Sequence, residues 1–175
     1  MQDPVICGKT CRYYVHTQVI DVFIDPLKTH ADKNPAKDIL AYITVPAGNN
    51  GPRKDLAAHL ADSSLPIDPA QIAYTTHYLS APDWDPIVNA LKGSTINTPQ
   101  SRVKLIFVPS YLDGNDGIFN IHYYELLSGM DATVFPSYYY PWGYTPLESS
   151  AFSGPPLTTT LAGSGRLAAS RQPPA

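Results

Sequence analysis

The sequence predicts an α/β protein built on an open parallel sheet with helices on its faces. Three observations predict it. Short apolar runs rich in β-branched and aromatic residues recur along the chain, at 39–45 (ILAYITV), 103–108 (VKLIFV) and 132–135 (ATVF). Continuous apolar runs of this length suit strands buried on both faces. Segments with helical spacing lie between them, and such alternation is the pattern of an open α/β sheet. The chain has 175 residues, 43% hydrophobic and 15% charged, enough for about one domain with a real core.

Taken in order, residues 5–7 begin a candidate strand. Val19, Ile20, Phe23, Ile24 and Leu27 then recur at helical spacing, and Pro26 should shorten or kink that helix. After the strand at 39–45 comes a connection, 46–102, too long to be structureless. It is predicted to hold two or three helices packed on one sheet face, with 55–61 and 86–91 as candidates. Within it Tyr74-Thr75-Thr76-His77 is polar; it reads as a surface loop, and lining a cleft is the other possibility. Further helices are predicted at 123–127 and after Trp142 as far as Phe152, where Leu147 and Ala151 share a face. Residues 157–160 end the set of strands. Of 18 prolines, four gather near the end. The stretch 163–175 (GSGRLAASRQPPA) reads as a frayed tail, which sets the expected division: a domain over 1–165 and a flexible tail over 166–175.

The net charge is −3 with no basic cluster, so nothing electrostatic points to nucleic acid or an anionic membrane. No apolar run approaches the roughly 18 residues of a membrane span. The start, MQDPVICGKTCRYY, lacks a signal-peptide pattern, and a cytoplasmic protein is expected. Cys7 and Cys11 are two cysteines without a matching second pair, so they read as reduced thiols on or near a strand and not as a zinc site. No metal-ligand cluster and no Ser-His-Asp or Cys-His arrangement with recognisable context is seen.

The informative stretch is 131–163 (DATVFPSYYYPWGYTPLESSAFSGPPLTTTLAG). It reads as strand, tight turn, helix and strand. Pro136 and Pro141 force an extended turn, and Gly143 lets backbone approach a ligand. The helix after it points free N–H groups and its positive end back at the turn, a ready site for a pyrophosphate. Glu148, about one turn into the helix, is within reach of a sugar's hydroxyls. In an open α/β sheet, ligands sit at the carboxyl ends of strands, where this turn lies. An ordinary strand-to-helix corner with an exposed Glu148 is the other reading of the same residues.

FPSYY-x-PWGYTPLES resembles the signature of family 3 glycosyltransferases, the glycogen synthases that use UDP-glucose. The likeness runs upstream through RVKLIFVPSYLDGNDGIFNIHYYELLSGMDATVFPS and downstream through AF-x-x-P-x-x-TT-x-LAG. CRYYVHTQVIDVFID is similar to the family's GRYE-x-x-NKG-x-D-x-FID segment, so the resemblance covers most of residues 10–165. YLDGNDGIF and PLES are most similar to the Bacteroides-type branch. The resemblance implies a Rossmann-like parallel sheet flanked by helices, like the carboxyl-terminal domain of a two-domain GT-B enzyme. It implies UDP or UDP-glucose as ligand, no further cofactor, and a glucan acceptor engaged only together with the first domain, which has no counterpart in these residues.

It also implies roles. Glu148 would accept hydrogen bonds from ribose hydroxyls. Trp142, Gly143, Tyr144 and Thr145 match the family's phosphate-cradling turn. Tyr123 aligns with a tyrosine that stacks on uracil, although without the resemblance a half-buried helix residue would explain it. Arg12 aligns with an arginine that neutralises the phosphates, which its fork suits. Four positions depart from the pattern. Tyr140 stands where the family has a glutamate that contacts the donor glucose and is needed for transfer, and a neutral tyrosine cannot supply that charge. Gln18 replaces a phosphate-binding lysine, with Val19 in place of the glycine after it. Tyr14 replaces a glutamate. The implied parent activity is transfer of glucose from UDP-glucose to an α-1,4-glucan, with this chain inactive alone. The alternatives are a non-catalytic UDP-sugar-binding module and a fragment without independent function.

Overall fold

The computed structural model describes residues 10–15, 21–137, 141–152 and 154–171, with side chains from residue 23 onward. Five parallel strands form the main sheet: β1 (Thr10–Val15), β2 (Asp38–Thr44), β5 (Val103–Val108), β6 (Ala132–Phe135) and β7 (Pro156–Thr158). Their order in space is β5-β2-β1-β6-β7. The first three strands in sequence run outward one way from β1 and the last two run the other way, which is the doubly wound order with its reversal between β1 and β6. The expected apolar runs are therefore β2, β5 and β6. The central strand is β1, which contains Cys11; the candidate strand at 5–7, and Cys7, lie outside the described residues.

Burial follows the two-residue period of a strand. Ile39, Ala41 and Ile43 of β2 and Leu105 and Phe107 of β5 are all at most 1% exposed. On that face they meet Phe23, Ile24, Leu27 and Ala31 of α1 (Asp21–Lys33) and Ile87, Val88 and Leu91 of α3 (Pro86–Lys92). The alternate residues Tyr42, Ile106 and Val108 meet Leu126 and Leu127 of α4 (Tyr123–Ser128) on the other face. Each fully buried Leu, Ile, Val or Phe among them contributes about 1.5–3 kcal/mol. Pro26 does not end α1. It sits on the exposed face, where water can take over the carbonyl it leaves unbonded, and the apolar stripe carries the helix on to Lys33. Arg102 fastens the end of α1 and the turn after it, its guanidinium donating to the oxygen of Ala31 in the helix and to those of Asn34 and Lys37 beyond it.

The 46–102 connection differs from expectation. It holds α2 (Lys54–Ala61), which buries no residue, and α3, and so only one of its helices packs on the sheet. It also holds an antiparallel pair, β3 (Asn49–Pro52) and β4 (His77–Leu79). Tyr74-Thr75-Thr76-His77 is not a surface loop: Thr75, Thr76 and His77 are 2–3% exposed. They run beside β5, with Thr76 N–H donating to the Phe107 oxygen (3.0 Å) and Phe107 N–H to the Tyr74 oxygen (2.7 Å). Asn97 does the same one step earlier, its side chain bonding both the N–H (2.7 Å) and the carbonyl (3.0 Å) of Leu105. The polar groups are buried because they satisfy the open edge of β5.

Arg53, 1% exposed, locks this segment. It donates to the carboxylate of Asp55 through Nε (3.1 Å) and Nη2, and to the carbonyls of Ile72 (2.7 Å) and Thr75 (3.3 Å) through Nη1. That hydrogen bonding holds the Asp55 carboxyl down from 3.8 to about 2 against the opposing effect of burial. A carboxyl depressed on folding stabilises fully above its unfolded value and loses that contribution as the pH falls through the folded one. About 2 kcal/mol should therefore disappear between pH 3.8 and 2. Urea midpoints across this range should fall less steeply for Asp55→Asn; an unchanged slope would sink the assignment.

The remaining helices are α5 (Tyr144–Ala151) and α6 (Gly163–Ser170). The second occupies residues that composition assigns to a tail. Its glycines serve close packing: a Cβ on Gly165 would lie 2.2 Å from the Thr159 oxygen.

Candidate functional site

The carboxyl ends of β2, β5 and β6 open on one edge of the sheet. The loops leaving β2 and β5 are stitched together by Asn49, whose amide donates to the carbonyls of Ala47 (3.1 Å) and Pro109 (2.7 Å). Beside this seam lies a mostly apolar depression of about 300 Å³, lined by Thr44, Pro46, Ser110, Tyr111, Leu112, Asp113, Tyr123 and Thr145. Thr44 ends β2. It is 5% exposed, and its hydroxyl has no hydrogen-bond partner among the described residues. A buried hydroxyl left unbonded is costly, so a ligand with a polar group fits this wall.

Two helices begin at the depression. Tyr123, half-buried, opens α4, and its N–H donates to the Leu112 oxygen (3.0 Å). Thr145 is the second residue of α5, which starts from Gly143, a buried glycine at φ 84° and ψ 69°. Gly143, at the N-cap of that helix, has no side chain with which to cap it. Thr145 lines the depression, so the start of this helix lies at its edge, and the free N–H groups and positive end of a helix favour an anion. Ser149 holds α5 in place, its hydroxyl 2.6 Å from that of Thr133 in β6 and 3.3 Å from the Gly154 oxygen. The turn before α5 is held by the start of α6, where Ser164 N–H donates to the Trp142 oxygen (2.7 Å). Tyr124 stacks on Phe152 with centroids 4.7 Å apart and planes 16° from parallel, which ties α4 to α5.

Of the residues expected at a site, Tyr123 and Thr145 line one depression, and Gly143 and Tyr144 begin the helix that starts at its edge. Glu148 lies half-buried one turn along α5, and Trp142 is half-exposed in the turn. Arg12 lies on the central strand opposite Leu40, its side chain outside the described residues. Gln18, Val19 and Tyr140 lie outside them altogether. Sequence reading missed Thr44 and the 110–113 segment. The available signal was positional, since both follow the end of an apolar strand, where open α/β sheets bind ligands. Among the described residues no group of three or more His, Cys, Asp or Glu could hold a metal, and no helix is long and apolar enough to cross a membrane.

The glycogen synthase family model matches residues 59–171. This chain belongs to the glycogen synthase family. The match runs past Gly165, where the motif resemblance fades, through all of α6. Among similar proteins, glycogen [starch] synthase isoform 2 of Saccharomyces cerevisiae is 37% identical over 114 residues, 65% of this chain and 15% of that protein. The Caenorhabditis elegans glycogen [starch] synthase is 36% identical over 61% of this chain and 15% of its own length. The human liver form is 38% identical over 52% and 13%. The match therefore spans about a seventh of the length of these family members.

Proposed function

We propose that the chain is the nucleotide-sugar-binding part of a cytoplasmic glycogen synthase-type glycosyltransferase, a Rossmann-like domain of GT-B kind over residues 1–165 or slightly beyond. The observation that carries this is the convergence of Tyr123, the buried Thr44 hydroxyl and the uncapped start of α5 on one depression, in a chain whose relatives are named glycogen [starch] synthases. In this reading uracil lies against Tyr123. The pyrophosphate meets the N–H groups of Tyr144 and Thr145, and Glu148 takes the ribose hydroxyls. Arg12 is assigned to the phosphates on its motif alone, since the family match begins at residue 59.

Calorimetric titration with UDP tests the site. Binding should be weak, because Gln18 replaces one phosphate cation. The loss of one charge-assisted contact costs about 1.5–3 kcal/mol, roughly ten- to over a hundredfold. Glu148→Ala should weaken it further; tight binding untouched by that change would show that the ribose is held elsewhere.

These 175 residues alone should transfer no glucose to glycogen, because Tyr140 supplies no carboxylate and no second domain holds the acceptor. Holding the two reactants together is worth about 7–11 kcal/mol of barrier. Labelled glucose incorporated clearly above buffer would overturn this. Replacing Tyr140 by Glu and Gln18 by Lys should tighten UDP binding and still give no turnover. The same two departures favour a second reading, a non-catalytic UDP-sugar-binding module. A fragment without independent function would bind no UDP at all.

A further inference from the structure

One wall of the depression is the segment from Ser110 to Tyr123. Its base is closed by the Tyr123 N–H to Leu112 oxygen bond and by antiparallel backbone pairing of Asp113 with His122. Its tip is Asp116, which is 6% exposed. That carboxylate is fully engaged within the loop, accepting from the N–H groups of Ile118 (3.1 Å), Phe119 (2.9 Å) and Asn120 (2.7 Å). The Asn120 side chain in turn accepts from Gly117 N–H (2.8 Å). The tip is thus a closed unit, and its location depends on what it is fastened to.

One fastening is Phe119, edge-on to Tyr42 of β2 at 5.6 Å. The other comes from the small sheet. His77 is 2% exposed, and its Nε2 lies 2.9 Å from the Asp116 carbonyl oxygen. A carbonyl only accepts, so Nε2 carries the proton. Nδ1 lies 2.8 Å from the Thr76 hydroxyl, which is 3.3 Å from the Phe107 oxygen of β5. Pro52, the register partner of His77, packs under Gly117, where a Cβ would come within 2.6 Å of its Cγ. The main sheet, the hairpin and the loop tip therefore form one connected brace.

We propose that His77 is a positioning residue for nucleotide recognition: through Asp116 it sets where Leu112, Asp113 and Tyr123 stand over the strand ends. The inference rests on the UDP reading above. Its test compares His77→Phe, which fills the space without an N–H, with His77→Gln, whose amide can donate to the same carbonyl. Amide NMR spectra and UDP titrations are recorded for both. His77→Phe should shift the amide resonances of 112–123 and weaken UDP binding about tenfold, and His77→Gln should return both to within about threefold of the parent chain. If His77→Phe does not fold, Gly117→Ala lifts the same tip from the loop side and should weaken UDP by a similar factor. Unchanged amides at 112–123, or shifted amides with unchanged UDP affinity, would overturn the role of His77. A parent chain that binds no UDP would instead remove the nucleotide reading itself.

Discussion

Replacing Arg53 by leucine should cost about 3–5 kcal/mol of folding stability, the range for breaking one partner out of a buried ion pair. The guanidinium serves several acceptors at once: both Asp55 oxygens and the carbonyls of Ile72 and Thr75. Its removal leaves a carboxylate 13% exposed with no cation, together with two carbonyls that have lost a donor. The damage should spread to the β5 edge, because the backbone N–H of residue 53, which leucine keeps, donates to the Thr76 oxygen where Thr76 bonds Phe107, so a shift of this residue is passed on to β5. Lysine should recover little, since a point charge cannot replace the fork. Removing both partners, in Arg53→Leu with Asp55→Leu, should cost less than the arginine change alone, because no charge is then left buried. Urea denaturation at constant slope measures each. A loss below about 1 kcal/mol for Arg53→Leu would show that solvent reaches this pair freely.

The same residues show where sequence reading succeeds and where it stops. β2, β5 and β6 are legible because burial on both faces leaves an unbroken apolar run. The central strand β1, TCRYYV, does not read that way, and a strand's place in the sheet order leaves no mark on its composition. Arg53, Thr75, Thr76 and His77 look like surface residues because their partners lie far away in sequence: 22 residues separate Arg53 from Thr75, and 39 separate His77 from Asp116. α6 resembles a tail because it is made of small residues, yet the smallness answers to backbone packed against it. Of the residues that line the depression, Tyr123 and Thr145 were named through the family's motif. Thr44 was not, because an orphaned hydroxyl is visible only once its neighbours are known.

Gly163→Ala should weaken UDP binding by more than tenfold, although residue 163 lies outside the depression. A Cβ there would sit 2.3 Å from the Pro141 oxygen and 3.1 Å from Trp142 Cα. Both are backbone, so no flexible side chain can swing aside and the turn itself must move. Ser164 N–H would then lose the Trp142 oxygen, and with it the contact that fixes the turn ahead of Gly143. The first N–H groups of α5 would point elsewhere, and losing a charge-assisted hydrogen bond of that kind costs about 1.5–3 kcal/mol of binding. Overpacking should also lower stability by about 1–3 kcal/mol, so binding has to be measured where the variant is fully folded. Gly93→Ala is the control. Gly93 has φ −84° and open space where its Cβ would lie, so its stability should move by no more than about 0.5 kcal/mol and its UDP affinity not at all. Equal UDP affinity in the two variants would mean that the turn from Pro141 to Gly143 does not hold the phosphates, and the site would have to be sought away from α5.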